Sequence, residues 1–274
     1  MIELTGPFAG LWRDRDPFEE LWTTPGRDFR TMPGRRTFRF EFNGKAYFAK
    51  LHSGVGWRHI LGQWLRLRRP VVGAATELRA IRRLEQLDLA TMKVAAFGER
   101  GWSPAQKRSF IVTEAIEPSI SLEDFCGDWP RSPPPRALKW QLIAEVARIA
   151  RRMHCGGVNH RDFYLCHFLL DSERLERDGD IRLSLIDLHR AQVRGRTPQR
   201  WRIKDIAGLW FSAVDIGLSR TDLLRFVRGY EGLDEGESPA DALRQRRRFW
   251  SSVAQKMARV REREARKRAA GVKR

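Results

Sequence analysis

Met153-His154-Cys155-Gly156-Gly157-Val158-Asn159-His160-Arg161-Asp162 is the stretch on which the fold turns. Before it, Leu138, Leu142, Val146, Ile149 and Met153 recur every three or four residues, the spacing of one buried helix face. Gly156-Gly157 interrupts that period. His160-Arg161-Asp162 therefore sits on a loop directly behind a long amphipathic helix.

Towards the N-terminus, Phe38, Phe40 and Phe42 alternate with polar residues. Asn43-Gly44 is a strong turn signal, and Lys45 to Leu51 returns as a second strand that carries Lys50 near its end. Leu78, Ile81 and Leu84 mark a helix over 75–87, with Thr76 as its cap and Glu77 near its start. Short strands are expected at 94–97 and 109–114. Past the glycines, 165–170 and 181–188 read as two strands joined through Asp178-Gly179, with Asp187 near the end of the second. From 203 onward the pattern is helical. The first 25 residues, with three prolines, read as irregular or short helix.

Lys50, Glu77, Asp162 and Asp187 each have an ordinary explanation. Lys50 alone is a solvated strand lysine, Glu77 a surface partner for arginine, and Asp187 a turn residue or helix cap. Their order and element types together are those that phosphoryl transfer requires. A strand lysine neutralises nucleotide phosphates and a helix glutamate holds it. One aspartate receives the acceptor hydroxyl, and a second holds Mg²⁺. The pattern predicts an α+β, two-lobed, protein-kinase-like fold with ATP and Mg²⁺ as its cofactors. A small β-rich lobe is expected over 1–115 and a helical catalytic lobe over 116–243. A solvated basic helix or tail follows over 244–274. Glu114 to Glu117 falls where the connection between lobes meets the adenine, so Glu114 and Ile116 join the candidate nucleotide-binding residues.

The chain has 274 residues, 52 Lys and Arg against 34 Asp and Glu, and a net charge of +18. That balance is compatible with nucleic acid, an anionic membrane, a phosphorylated substrate or an acidic protein. Its distribution narrows the choice. Arg244 to Arg274 hold thirteen basic and two acidic residues, a net +11, which leaves +7 for the other 243. No nucleic-acid-binding signature accompanies the charge, so nucleic acid is not expected. Cys126, Cys155 and Cys166 form neither an even set nor a CxxC pair, and they read as buried thiols in a reducing compartment. No secretory signal or membrane span is visible.

The runs RRTFRFEFNGKAYFAK, TELRAIRRLEQL, SFIVTEAIEPSISLEDFC, GVNHRDFYLCHFLLD, LSLIDLHRAQV and RWRIKDIAGLWFSA resemble the lipopolysaccharide core heptose(I) kinases of Gram-negative bacteria. The resemblance covers about residues 35–230, and HRDFYLCHFLL and IDLHRAQ are specific to that family. It implies ATP-dependent phosphorylation of the first heptose of the inner core, at its 4-hydroxyl. It matches Asp162 to the catalytic aspartate, Lys50 to the nucleotide lysine and Asp187 to the magnesium aspartate. The acceptor implied is a lipid-anchored core glycolipid at the cytoplasmic face of the inner membrane. Peripheral contact with that anionic surface is expected, and an acidic protein partner suits the charge equally.

Several positions depart from the protein-kinase pattern. His167 stands five residues after Asp162, where an asparagine ordinarily holds a second metal. It either joins Asp187 at the metal or does something else. Asp187-Leu188-His189 replaces Asp-Phe-Gly, which removes a glycine hinge. Only 18 residues separate Asp187 from Asp205, the candidate brace of the catalytic loop, too few for a peptide platform. Phe48 stands where a small residue usually roofs the adenine. No G-x-G phosphate loop is present. Gly34, beside Arg35 and Arg36, is a candidate phosphate turn or a plain turn. The helix expected over 55–69, with Trp57 and Trp64, suits either a membrane surface or packing in the small lobe. His52, His59, His154 and His189 have no metal-ligand spacing and read as structural.

Overall fold

The hairpin predicted around Asn43-Gly44 anchors a six-stranded antiparallel sheet. Its strands are β1 (Ile2–Leu4), β2 (Arg27–Met32), β3 (Arg35–Phe42), β4 (Lys45–Ser53), β5 (Val94–Arg100) and β6 (Arg108–Glu114), ordered β1-β5-β6-β4-β3-β2. Asn43 and Gly44 have φ of 49° and 72°, the left-handed pair of a type I′ turn. This computed structural model describes residues 1–32, 34–54, 73–103 and 106–270. The segment with Trp57, His59 and Trp64 lies outside the described residues.

Side-chain alternation divides the hairpin into two chemically different faces. Phe38 opposite Ala49 and Phe40 opposite Tyr47 point into the core. Two short helices, Pro7–Leu11 and Pro17–Thr23, supply Phe8, Phe18 and Leu21 to the same cluster, and Trp12 joins it from the end of the first. The first 25 residues thus contain an edge strand as well as short helices. The opposite face pairs Arg35 with His52 and Thr37 with Lys50, so its character is basic.

By contact density the chain divides into two units. The first comprises 1–82, 91–117 and 187–190, and the second 83–90, 118–186 and 191–274. The helix Ala75–Gln86 begins one residue before Thr76, so Thr76 is inside it rather than its cap.

The second unit is built around the helix Arg136–Cys155, where Leu142, Val146, Ile149 and Met153 are buried as their spacing predicts. Its strands are β7 (Ser119–Ser121), β8 (Val158–Asn159), β9 (Phe168–Asp171), β10 (Leu183–Leu185) and β11 (Gln192–Val193). They form a three-stranded sheet, β10-β9-β7, and a β8–β11 pair. The expected turn at Asp178-Gly179 is instead the end of a helix, Ser172–Asp178. Asp171 caps it, and Gly179 closes it at φ 66°. Ser172–Asp178 buries no residue, so it lacks the apolar period that reveals a helix in sequence.

The C-terminal segment corrects a second expectation. It begins with Pro239–Gln245 and continues as a 23-residue helix, Arg247–Ala269, packed along Gln199–Ser212. Phe249 is 2% exposed and Val253 fully buried, so its first turns belong to the core. Only the outer part is a solvated basic surface. Among the described residues no helix is long and apolar enough to cross a membrane.

Phe249→Ala is expected to lower stability by about 3–4 kcal/mol, measured by urea unfolding. Deleting residues 261–274 should leave the midpoint unchanged. A full-strength fold in the Phe249 variant would return the whole segment to the solvent.

Candidate active site

In the first unit, three groups distant in sequence meet on the basic face of the hairpin. Lys50 Nζ donates to Glu77 Oε1 at 2.7 Å and to Asp187 Oδ1 at 3.1 Å. His189 Nδ1 donates to the same Asp187 oxygen at 2.6 Å. Burial by itself would lower the Lys50 pKa. The charges of Glu77 and then Asp187, with hydrogen bonds to both, outweigh it and raise the pKa above the ordinary lysine value. Lys50 is therefore a permanent cation. Asp187 adopts φ 59°, a conformation that costs a non-glycine residue free energy and recurs at functional sites.

The cluster extends to residues that sequence reasoning left in the background. Arg35 sits opposite His52 in the register, on the Lys50 face. Its Nε is buried without an acceptor among the described residues, as is Glu77 Oε2 without a donor. Burial and Arg30 lower the Arg35 pKa, while Asp187 and Glu77 act to raise it. Burial, followed by Arg35, Lys50 and His189, depresses His52 to about 4. A neutral His52 lets two cations share one strand pair. Arg36 points the other way. It lies over the Phe38 ring at 3.9 Å and donates to the Trp22 and Thr24 carbonyls.

Gly34 immediately precedes Arg35 and has φ 76°. A Cβ there would stand 2.8 Å from the Ser53 carbonyl oxygen, so the tight turn excludes any larger residue. Phe48, also on this face, pairs with the half-exposed Phe29 at 5.4 Å between ring centroids. Glu114 N donates to Lys93 O and Ala115 N to Ala46 O, which commits both amides to neighbouring strands at the end of β6. Ile116 follows, half-buried.

In the second unit, Asp205 is fully buried and organises the loop that carries Asp162. Its carboxylate accepts from His160 N at 2.7 Å and from Arg161 N at 2.9 Å. His154, bonded to the Tyr230 hydroxyl at 3.0 Å, lies 3.4 Å from the same carboxylate. Arg161 is held at φ 77°. Gly157, at φ 84°, runs so close to the Arg194 carbonyl that no Cβ fits. Asp162 itself is half-buried, and its carbonyl accepts from His167 Nδ1 at 2.6 Å. His167 thus pins the loop backbone, with its ring stacked 5.5 Å from that of His160.

Among the described residues no group of three or more His, Cys, Asp or Glu converges as a metal site. Magnesium does not require one, because it keeps several waters and takes phosphate oxygens. A single strained carboxylate such as Asp187 fits that habit. The thiols differ from expectation. Cys126 is buried, and burial pushes it up to about 12, but Cys166 is half-buried and Cys155 exposed. Cys155 ends its helix just beyond Met153 and His154, which occupy the inner face. The second unit also holds an apolar cavity of about 610 Å³ whose walls include Leu142, Ile206 and Phe226. Such walls do not suit a triphosphate.

The profile of the lipopolysaccharide kinase (Kdo/WaaP) family matches residues 19–230. The chain belongs to that family. It is 52% identical over 229 residues to lipopolysaccharide core heptose(I) kinase WaaP of Pseudomonas aeruginosa, covering 84% of this chain and 85% of that protein. With the heptose(I) kinase WaaP of Escherichia coli it shares 47% identity over 268 residues, 97% of this chain and 99% of the other. A solved structure, WaaP in complex with acyl carrier protein, superimposes with a TM-score of 0.81 at 44% identity, covering 94% of this chain and 98% of that one. The fold is therefore the two-lobed, kinase-like α+β fold.

Within this kinase family fold, the hairpin, Lys50, Glu77 and the Asp162 loop were legible from sequence order. Arg35 and His52 were not, because only the strand register reveals which arginine shares a face with Lys50. His52 also makes a thermodynamic mark. Its folded pKa of about 4 lies below the ordinary 6.5, so the unfolded chain binds the proton more readily. Its contribution is complete above pH 6.5 and is lost as pH falls towards 4. Relative to His52→Gln, the wild type should lose up to about 3 kcal/mol between those limits, read by urea unfolding at pH 7 and pH 4.5. Parallel losses in both proteins would contradict a neutral buried His52.

Proposed function

We propose that this protein transfers the γ-phosphoryl group of ATP to a hydroxyl of the first heptose of the lipopolysaccharide inner core, at its 4-position. The observation that carries the proposal is the buried Lys50 ammonium, fixed between Glu77 and Asp187. Kinases use this group to neutralise nucleotide phosphates. Heptose as acceptor is supported by the heptose(I) kinases that align along most of the chain.

In the proposed reaction, the heptose hydroxyl oxygen attacks the γ-phosphorus as the bond to the β,γ-bridging oxygen breaks. ADP departs. The hydroxyl proton passes to Asp162, late, once the attacking oxygen has gained positive character. Asp205 and His167 act by holding the Asp162 loop in one conformation. Lys50 and Arg35 supply positive charge for the phosphates, and Gly34 lets the backbone turn tightly beside them. The Glu114 carbonyl and Ile116 face the adenine edge, and Phe48 with Phe29 roofs the ring. Asp187 is the residue that would hold Mg²⁺, and the ion would there supply charge neutralisation for the phosphates. The Nδ1 of His167 is bonded to the loop, so His167 is assigned to loop positioning.

The reading extends to partners and place. Acyl carrier protein is proposed as a protein partner, supported by the complex formed by the solved relative and by this chain's net +18. Peripheral attachment at the cytoplasmic face of the inner membrane is supported by the exposed basic half of Arg247–Ala269.

The test incubates ATP and Mg²⁺ with core lipopolysaccharide lacking the heptose phosphate. Asp162→Ala should reduce transfer roughly a thousandfold while still binding ATP. Lys50→Met should weaken both ATP binding and transfer. No transfer by the wild type, or equal transfer by wild type and Asp162→Ala, would overturn the proposal.

A further inference from the structure

Directly opposed residues of an antiparallel pair share one face of the sheet, and the register of β3 with β4 sets three such pairs in a row on the Lys50 face. Arg39 stands opposite Phe48, Thr37 opposite Lys50, and Arg35 opposite His52. Successive pairs on one face are two residues apart, so Phe48 and Arg35 are separated by about 13 Å along the strands. Two cations of this face have carboxylate partners. Arg39 bonds to Glu41 and Glu117, and Lys50 to Glu77 and Asp187. Arg35 differs. Among the described residues its side chain makes no hydrogen bond and no ion pair, and its Nε is buried without an acceptor. Asp187 and Glu77, the carboxylates close enough to act on Arg35, are both bonded to Lys50 instead. A buried donor left unmet costs free energy that an incoming acceptor recovers. The backbone fixes Arg35 before any ligand arrives. Gly34 turns at φ 76°, its carbonyl accepts from Ser53 N at 2.8 Å, and a Cβ there would collide with the Ser53 carbonyl.

We infer that Arg35 binds the terminal phosphate of the triphosphate, doing with a side chain what a glycine-rich loop does with backbone amides. The inference rests on the kinase reading above and adds to it which phosphate Arg35 meets. Groups along the face stand in the order of groups along an extended nucleotide. A base against Phe48 puts the inner phosphates at Lys50. The outermost phosphate then falls one pair further, at Arg35 and His52. Of that pair only the guanidinium is charged at neutral pH, because burial, then Arg35, Lys50 and His189, depress His52 to about 4. Backbone amides offer little competition, since the run from Arg30 to Arg36 has a single glycine, Gly34. A guanidinium presents a planar fork that pairs with two oxygens of one phosphate. A γ-phosphoryl group in transfer spreads its charge over three equatorial oxygens. Arg35 thus holds the group that moves, donating hydrogen bonds to it before and during transfer and giving up no proton. That makes it a catalytic residue that distinguishes ATP from ADP.

The experiment measures, by titration calorimetry with Mg²⁺ present, the affinity of the full-length protein for ADP and for the β,γ-imido analogue of ATP. Arg35→Gln should weaken the triphosphate analogue by about tenfold or more and ADP by less than about twofold, as expected for a lost charge-assisted contact to the third phosphate. Lys50→Met should weaken both. Arg35→Lys should recover part of the loss, because an ammonium keeps the charge and lacks the fork. Arg30→Gln removes an exposed charge that acts on Arg35 without sharing its buried position, and should leave both affinities near those of the wild type. In turnover with core glycolipid, Arg35→Gln should lower kcat and raise the ATP KM while the acceptor KM stays unchanged. Equal losses for the two nucleotides in both Arg35 variants, an undiminished affinity for the triphosphate analogue in Arg35→Gln, or a defect confined to the acceptor KM overturns the inference. The heptose assignment fails separately. A wild type that binds both nucleotides and phosphorylates no core glycolipid removes that assignment, and the difference between the two nucleotides still decides the role of Arg35. A wild type that binds neither nucleotide removes both readings.

Discussion

A lysine ammonium cannot be buried without carboxylates, and that requirement organises the first unit. Removing such an ion from water costs several kcal/mol after relaxation, so Lys50 is tolerable only with close, well-aligned partners. Glu77 comes from a helix 27 residues on and Asp187 from 137 residues away. Both must arrive for the strand to fold with Lys50 in place. The consequences spread along the sheet. His52 stays neutral because Lys50 and Arg35 are already charged on the same face. Arg35 keeps a buried Nε without an acceptor among the described residues.

Asp205 plays the corresponding part in the second unit. It is a fully buried carboxylate that accepts from two consecutive backbone amides. Those two bonds hold Arg161 in a left-handed conformation and so determine where Asp162 stands. His167 adds a third restraint through the Asp162 carbonyl. An imidazole N–H does here what an amide N–H does in protein kinases. With His189 bonded to Asp187 where the general pattern has glycine, that carboxylate is held by a side chain.

The large positive charge resolves into separate tasks. Arg36 and Arg39 are structural, bound to carbonyls, to Asp28, or to Glu41 and Glu117. The C-terminal helix uses its apolar residues for packing and presents its basic ones to solvent beyond the first turns.

Sequence order and periodicity by themselves determined the hairpin, the amphipathic helix before the glycines, the α+β class and the identities of Lys50, Glu77, Asp162 and Asp187. Those features are local, or follow a fixed order along the chain, so one-dimensional spacing carries them. The helix Ser172–Asp178 escaped because it buries nothing and has no apolar period. The burial of Phe249 and Val253 escaped because charge dominates their segment and hides two buried contacts. Only the tertiary structure decided which of several neighbouring arginines faces Lys50 and what His167 bonds. Each of those depends on strand register or on helix packing between residues far apart in sequence. Composition records how many charges there are, and folding decides which of them share a face.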